Sequence, residues 1–355
     1  MTNRELFRRI MHYEEFDRLP VWHWDVWPET LAEWIAQGHV PPGADLFELL
    51  HADRIWSLAP VNMGLLPQFE EEILEETADY RIIRQNNGVV AQHSKRGSSI
   101  PRSISFTMKD RSGWEEYRKR LQPDPKRLAP DFDKECARVE QSGRPVVMDA
   151  RATIGWARDW MGVENLGYAC HDDRALLAEL CDTVAELICW GIDQVGNKLQ
   201  IDLAISSEDI CFRSGPLVSP QVFKECCVPA YRKIRERLEA HGCDLYMVDC
   251  DGKLDDLVPL WLEGGVNILY PIEIGTWKAD PLAFRKRYGR EFRCIGAIDK
   301  LELPKGREAI DAEIERRLPL MKLGGYIPIP DHLIVPGTPL EDYRYYLERI
   351  RTLRF

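Results

Sequence analysis

No apolar run in the chain comes near the roughly 18–20 residues that a membrane-spanning helix requires, so nothing in it reads as an integral helical membrane protein. Positive charge is scarce: 47 Lys and Arg stand against 58 Asp and Glu, a formal net charge of −11. Binding a phosphate backbone needs the opposite balance, so a nucleic-acid partner is not expected. The ten cysteines include no CxxC pair and read as small buried apolar residues of a reducing compartment, without disulfides. Cys226 and Cys227 are neighbours on a predicted helix, where side chains diverge by about 100° and would not ligate one metal together. No GxGxxG follows an early strand and there is no Walker-type phosphate loop, which weighs against a doubly wound nucleotide-binding sheet. Solenoid repeats and low-complexity tails are missing too. The first twenty residues, MTNRELFRRIMHYEEFDRLP, are charged throughout and lack the apolar stretch of a secretory signal, so the expected location is cytoplasmic.

What remains is ordinary globular composition, 45% apolar and 30% charged over 355 residues, with a clear rhythm. Short apolar or β-branched runs alternate with amphipathic helical stretches, as in βα units around a parallel sheet. Strand candidates are 20–27, 53–59, 145–150, 202–210, 244–250, 266–273, 292–299 and 326–331. Ser219 and Pro220 open a helix that Gly242 stops after roughly six turns. Asp280 and Pro281 open another, closed by Gly289, and 301–325 holds a third ending at Gly324 and Gly325. Residues 171–195 carry a helical stripe of Leu176, Leu177, Leu180, Val184, Leu187 and Ile188, and a last helix starts near Pro339. Residues 62–108 break the rhythm. Alternating runs around the turn signal Asn86-Asn87-Gly88 predict a β-hairpin or small antiparallel insertion. The pattern predicts an α/β chain: a single (β/α)8 barrel domain over 1–355, with N-terminal helices and the 62–108 hairpin insertion.

Barrels of this kind keep their active sites at the C-terminal ends of the strands, and those ends are polar here. They carry Asp149 and Arg151, Glu208 and Asp209, Asp249 and Asp251, Glu273, Asp299 and Lys300, and Asp331 and His332. Carboxylates facing one another must either raise their pKa values or share a cation. A divalent metal held by carboxylates and one histidine is the economical solution. Asp249 and Asp251 are two apart on an extended strand end and point the same way, and His332 would join them from another strand. Asp251 before Gly252 also fits a plain turn. Glu208 and Asp209 are candidate acid–base groups, and Arg151 and Arg213 candidate clamps for a substrate carboxylate. Trp22, Trp24, Trp27, Trp56 and Trp277 form an aromatic group suited to a planar ligand or to barrel packing. His23 within strand one is a substrate-binding candidate with Trp24.

The runs YMVDCDG, LVPLWLEGGVNILYPIE, YGREFRCIGAIDK and GGYIPIPDHLIVPGTPLEDYRYYLERI, in that order, resemble the uroporphyrinogen decarboxylase superfamily. RELFRRIMHYEEFDRLPVW, WPETLAEWIAQG and EETADY extend the likeness toward its branch of cobalamin-dependent methyltransferases. Uroporphyrinogen decarboxylases proper carry an arginine-rich N-terminal segment for the porphyrin carboxylates. Residues 23–30 here read HWDVWPET, without arginine, which makes the porphyrin reaction improbable. The methyltransferase branch uses a zinc site of a His-x-Cys pair after strand five and a Cys after strand eight. The matching positions here are Asp249, Asp251 and His332, with Glu273 or Glu208 open as a fourth ligand. Oxygen ligands leave zinc harder and more Lewis acidic than thiolates do, which suits an ether oxygen as leaving group.

The resemblance therefore implies a corrinoid-dependent methyltransferase acting on a small O-methylated substrate. Cobalamin would arrive on a partner corrinoid protein, since no DxHxxG segment occurs here. A homodimer is implied by the resemblance alone. The alternatives are a metal-independent decarboxylase of a non-porphyrin acid, with Asp209 as acid and Arg151 or Arg213 as clamp, and a barrel that binds without catalysing.

Overall fold

The computed structural model describes residues 1–97 and 100–355. Its main sheet is parallel throughout, in the order β1 (Ser57–Leu58), β6 (Val146–Asp149), β7 (Leu203–Ser207), β10 (Tyr246–Asp249), β11 (Ile268–Tyr270), β12 (Arg293–Ile298) and β13 (Tyr326–Pro330). These seven strands curl into most of a barrel. The predicted first strand closes it through isolated parallel bridges, Trp22 to Asp53 on one edge and Val26 to Ile334 on the other. The fold is thus a (β/α)8 barrel, and all eight strand candidates fall on its wall.

Helix starts follow local chemistry. Thr2 and Glu5 form a reciprocal capping box for Asn3–Met11. Ser219 caps the Val222 N–H and Asp280 caps those of Leu282 and Ala283. The predicted stripe lies on Arg174–Gly196, and its six residues are all buried. One helix differs from expectation. The stretch after Ser219 is two helices, Pro220–Cys226 and Val228–Ala240, because Pro229 has no N–H to continue the first. Cys227 sits at the break, and all ten cysteines are free and buried.

The 62–108 region holds a four-stranded antiparallel sheet, β2 (Glu72–Glu76), β3 (Tyr80–Arg84), β4 (Val90–Ser94) and β5 (Arg102–Ser105). Residues 98 and 99 of the expected insertion lie outside the described residues. Its central turn requires glycine: Gly88 has φ +83°, and a Cβ there would lie 2.7 Å from the Tyr117 hydroxyl. A two-stranded ribbon, β8 (Cys211–Phe212) and β9 (Gly215–Pro216), follows β7.

The two ends of the barrel are built differently. Helix Asn3–Met11 lies across the N-terminal end with Leu6, Phe7, Ile10 and Met11 fully buried, each worth about 2 kcal/mol relative to exposure. The Phe7 ring stacks on Trp22 at 6.0 Å. At the C-terminal end Leu58 and Ser207 remain exposed, so the cup is open there. Among the described residues no helix is long and apolar enough to cross a membrane.

Candidate functional site

Strand alternation decides which side chains enter the cup. Strands β7 and β10 pair with Ser207 opposite Asp249, and the Glu208 N–H continues the ladder by donating to the Asp249 carbonyl at 2.8 Å. Ser206 and Glu208 lie on the outer face. The Ser206 hydroxyl meets that of Tyr246 at 2.8 Å. The Glu208 carboxylate is 1% exposed and accepts from the Thr153 N–H (2.8 Å), the Thr153 hydroxyl (2.7 Å), the Gly155 N–H (2.6 Å) and the Tyr231 hydroxyl. It holds the first turn of helix Ile154–Asp172, where orphan N–H groups favour an anion. Burial raises its pKa while those hydrogen bonds oppose the rise. A Cβ on Gly155 would lie 2.3 Å from the Glu208 carbonyl oxygen, so only glycine fits. Glu208, expected as a catalytic group or fourth ligand, is instead a buried anchor with its oxygens taken.

The inner face gathers Asp209, Asp249 and Asp251. Asp209 adopts φ +44°, and its Oδ1 accepts the Asp251 N–H at 3.2 Å. Burial raises its pKa and the Asp251 charge adds to the rise. Asp249 is pushed well above the usual carboxylate range, by burial first and then by Asp209 and Asp251. It receives no hydrogen bond from the described residues. His332 faces this group with Nε2 3.6 Å from Asp251 Oδ2, and its ring lies parallel to Trp27, 5.6 Å between centroids and 19° between planes.

Glu273 is engaged elsewhere. It accepts the Gly252 N–H at 2.8 Å and the Thr276 hydroxyl at 2.7 Å, with Lys300 Nζ 3.6 Å away. Lys300 also reaches Asp331, at 3.4 Å. Asp331, fully buried, accepts the N–H groups of Ile274 (2.7 Å), Gly275 (3.3 Å) and Lys300 (3.1 Å). These bonds tie down the loop that carries His332.

The substrate-binding candidates separate. Trp24 lines the cup, its ring 4.8 Å from Tyr270 and 5.6 Å from Trp56. Arg151 is paired with Asp149 at 2.9 Å, lies 5.9 Å from the Trp156 ring, and has a buried Nε without a partner. Arg213 is exposed on the β8–β9 ribbon. His23 points the other way, a correction to its expected role. It is 1% exposed, packs against Phe47 and Tyr343, and its Nδ1 meets the Tyr343 hydroxyl at 2.8 Å. Burial drags its pKa down to about 4. Tyr270 was missed by the sequence reading. It pairs with Asp249 in register, and burial followed by the charge of Asp249 holds its phenol well above the ordinary value. The signal was available, since its strand runs beside the one that ends in Asp249.

Two carboxylates and an imidazole suit a divalent cation, and Asp249, lacking N–H or O–H partners, leaves both oxygens free. Among the described residues, however, no three His, Cys, Asp or Glu side chains are already grouped as metal ligands.

No curated protein matches this chain in sequence. A solved methyltransferase from Methanosarcina mazei superposes with a TM-score of 0.63 at 15% identity, covering 99% of this chain and 98% of that one. The likeness establishes a shared fold. The family model for uroporphyrinogen decarboxylase (URO-D) matches residues 145–353, the part of the chain that supplies β6 through β13 and every carboxylate of the inner face. The chain belongs to the uroporphyrinogen decarboxylase family.

Proposed function

We propose that the protein is a methyltransferase that moves a methyl group between a small O-methylated compound and a cobalt corrinoid carried by a separate protein. One observation carries the reading. Asp209, Asp249 and Asp251 crowd together with His332 beside Asp251 and one positive charge, Arg158, acting on Asp209, while the other carboxylates of the mouth are matched: Asp149 by Arg151, and Glu273 and Asp331 by Lys300. Such an unbalanced cluster calls for a cation, and Asp249, Asp251 and His332 are the residues that would hold it. Zinc takes carboxylate and imidazole donors of this kind. When bound, it would act as a Lewis acid on an ether oxygen and ease departure of the alkoxide or phenolate.

The chain's own residues have the remaining tasks. Trp24, Trp56 and Tyr270 form an aromatic corner, with Trp56 and Tyr270 inclined to the Trp24 ring by 72° and 45°, that would hold an apolar part of the substrate and exclude water. The open mouth leaves room for the corrinoid carrier. Arg151, kept in place by Asp149, would orient a polar substituent of the substrate. Family membership and the fold shared with a methyltransferase support the reading at a coarser level.

Elemental analysis of purified protein tests the ligand set. About one equivalent of metal is expected in the wild type and little in Asp249→Ala or His332→Ala; full occupancy in both variants would defeat the assignment. A second reading, decarboxylation of a non-porphyrin acid without metal, is favoured by the raised pKa values of Asp209 and Asp249 and by the lack of grouped ligands. Carbon dioxide release by chelator-treated enzyme would select it.

A further inference from the structure

We infer that the Tyr270 hydroxyl is a substrate-binding donor in the cup: it hydrogen-bonds an oxygen attached directly to the substrate's apolar part, as in an aryl methyl ether. This narrows the O-methylated substrate proposed above and rests on that reading, but it involves no cation. A buried tyrosine ordinarily finds a partner for its O–H, and six of the seven buried tyrosines among the described residues do. Tyr117, Tyr326 and Tyr346 donate to main-chain carbonyls. Tyr231, Tyr246 and Tyr343 meet side chains. Tyr270, 4% exposed, has no hydrogen-bond partner among the described residues. Its oxygen is still reachable, unlike the Tyr288 hydroxyl, which is sealed in the interior without a partner.

The strand register explains where this hydroxyl stands. Tyr270 lies opposite Asp249, and the Cys250 N–H donates to the Tyr270 carbonyl at 2.8 Å, so both side chains leave their strands toward the cup. The phenol nevertheless makes no bond to Asp249. Its ring packs instead against Trp24, 4.8 Å between centroids, and Trp24 meets Trp56 at 5.6 Å. The three rings offer contact for an apolar group, and an unclaimed O–H stands at their edge. Water that meets the hydroxyl must be given up when a ligand fills this corner. A ligand oxygen replaces the lost bond. A methylene in the same place leaves the O–H desolvated and unpaired, which costs affinity. The corner therefore selects by the atom that adjoins the apolar body, and a site built to hydrogen-bond its ligand discriminates against an analogue that lacks the partner atom.

The test is a ligand-observed NMR titration of the purified full chain with methoxybenzene and with ethylbenzene, which has a methylene in place of the oxygen. Chelator is present throughout, so cation uptake does not enter the result. Relative to wild type, Tyr270→Phe should bind methoxybenzene about fivefold more weakly and ethylbenzene equally well. Its melting temperature should not fall, because the substitution breaks no bond within the chain. Unchanged methoxybenzene affinity in Tyr270→Phe, or equal weakening of both compounds, overturns the role of the hydroxyl and leaves the substrate reading standing. Wild type that does not bind methoxybenzene overturns the aryl ether reading and this inference together. A lowered melting temperature in Tyr270→Phe means that the phenol has a partner inside the protein, and it overturns the inference as well.

Discussion

The two ends of this barrel use the same residue types to opposite ends. At the N-terminal end the buried Asp202 and Arg285 both have partners. Asp202 accepts the Val146 N–H at 2.8 Å and lies 2.7 Å from Arg4 Nε, a contact whose angle makes it ionic rather than hydrogen-bonded. Arg285 donates to the carbonyls of Phe292, Gly324 and Gly325. At the C-terminal end Asp209, Asp249 and Asp251 repel one another. One end is a closed electrostatic system and the other an open one, and openness is what a ligand needs.

Breaking the closed end should have the largest effect. Asp202→Ala strands the Val146 N–H and takes from Arg4 the buried one of its two carboxylate partners, leaving it Glu140 and the Gln200 carbonyl; it should cost about 4 kcal/mol of stability with zinc uptake at the mouth unchanged. Urea unfolding measures it; a loss below about 1 kcal/mol would erase the contrast. Next comes acid, acting through His23. Its imidazole is neutral in the fold, with a pKa of about 4, whereas the unfolded chain takes up that proton near 6.5. Between those values the unfolded state binds more protons, so stability falls as pH drops from 6.5 to 4, by about 3 kcal/mol in all. Above 6.5 the contribution is constant. Unfolding free energies of wild type and His23→Phe from urea titrations across that window should diverge by this amount, and parallel curves would mean that water reaches the ring. The smallest effect sharpens the open end. In chelator, Asp249→Asn should stabilise the protein by about 1 kcal/mol, as relief of strain at functional sites commonly does. A destabilised variant would mean that Asp249 has a partner the geometry does not reveal.

Much of the fold was readable in advance because a parallel strand buried on both faces leaves a continuous apolar run, and all eight runs were found. The site was half readable. Asp249, Asp251 and His332 were visible as charges finishing apolar strands. Glu208 and Asp209, adjacent in sequence, were grouped as one catalytic pair although successive residues face opposite ways. Glu208 follows the outward Ser206, and Asp209 the inward Ser207. His23 failed for the same reason, since it stands between Trp22 and Trp24, both of which face the interior. The helix break at Cys227 was equally present, in Pro229. What no local pattern contains is which side chains find donors. Glu208 meets Thr153, Gly155 and Tyr231 from two distant helices, and Asp249 meets none among the described residues.

The closure of the barrel by single bridges has a mechanical consequence. Strands β12 and β13 are joined by an unbroken ladder from Cys294 and Tyr326 to Ile298 and Pro330, whereas among the described residues segment 20–27 has one backbone bridge on each edge, with the Val21 N–H also donating to Asp53 Oδ2. A cylinder riveted so sparsely along one side yields there first when something broad pushes in from the rim. Because Trp24 and Trp27 ride on that panel, the girth of an entering molecule and the posture of the aromatic lining are geared to each other.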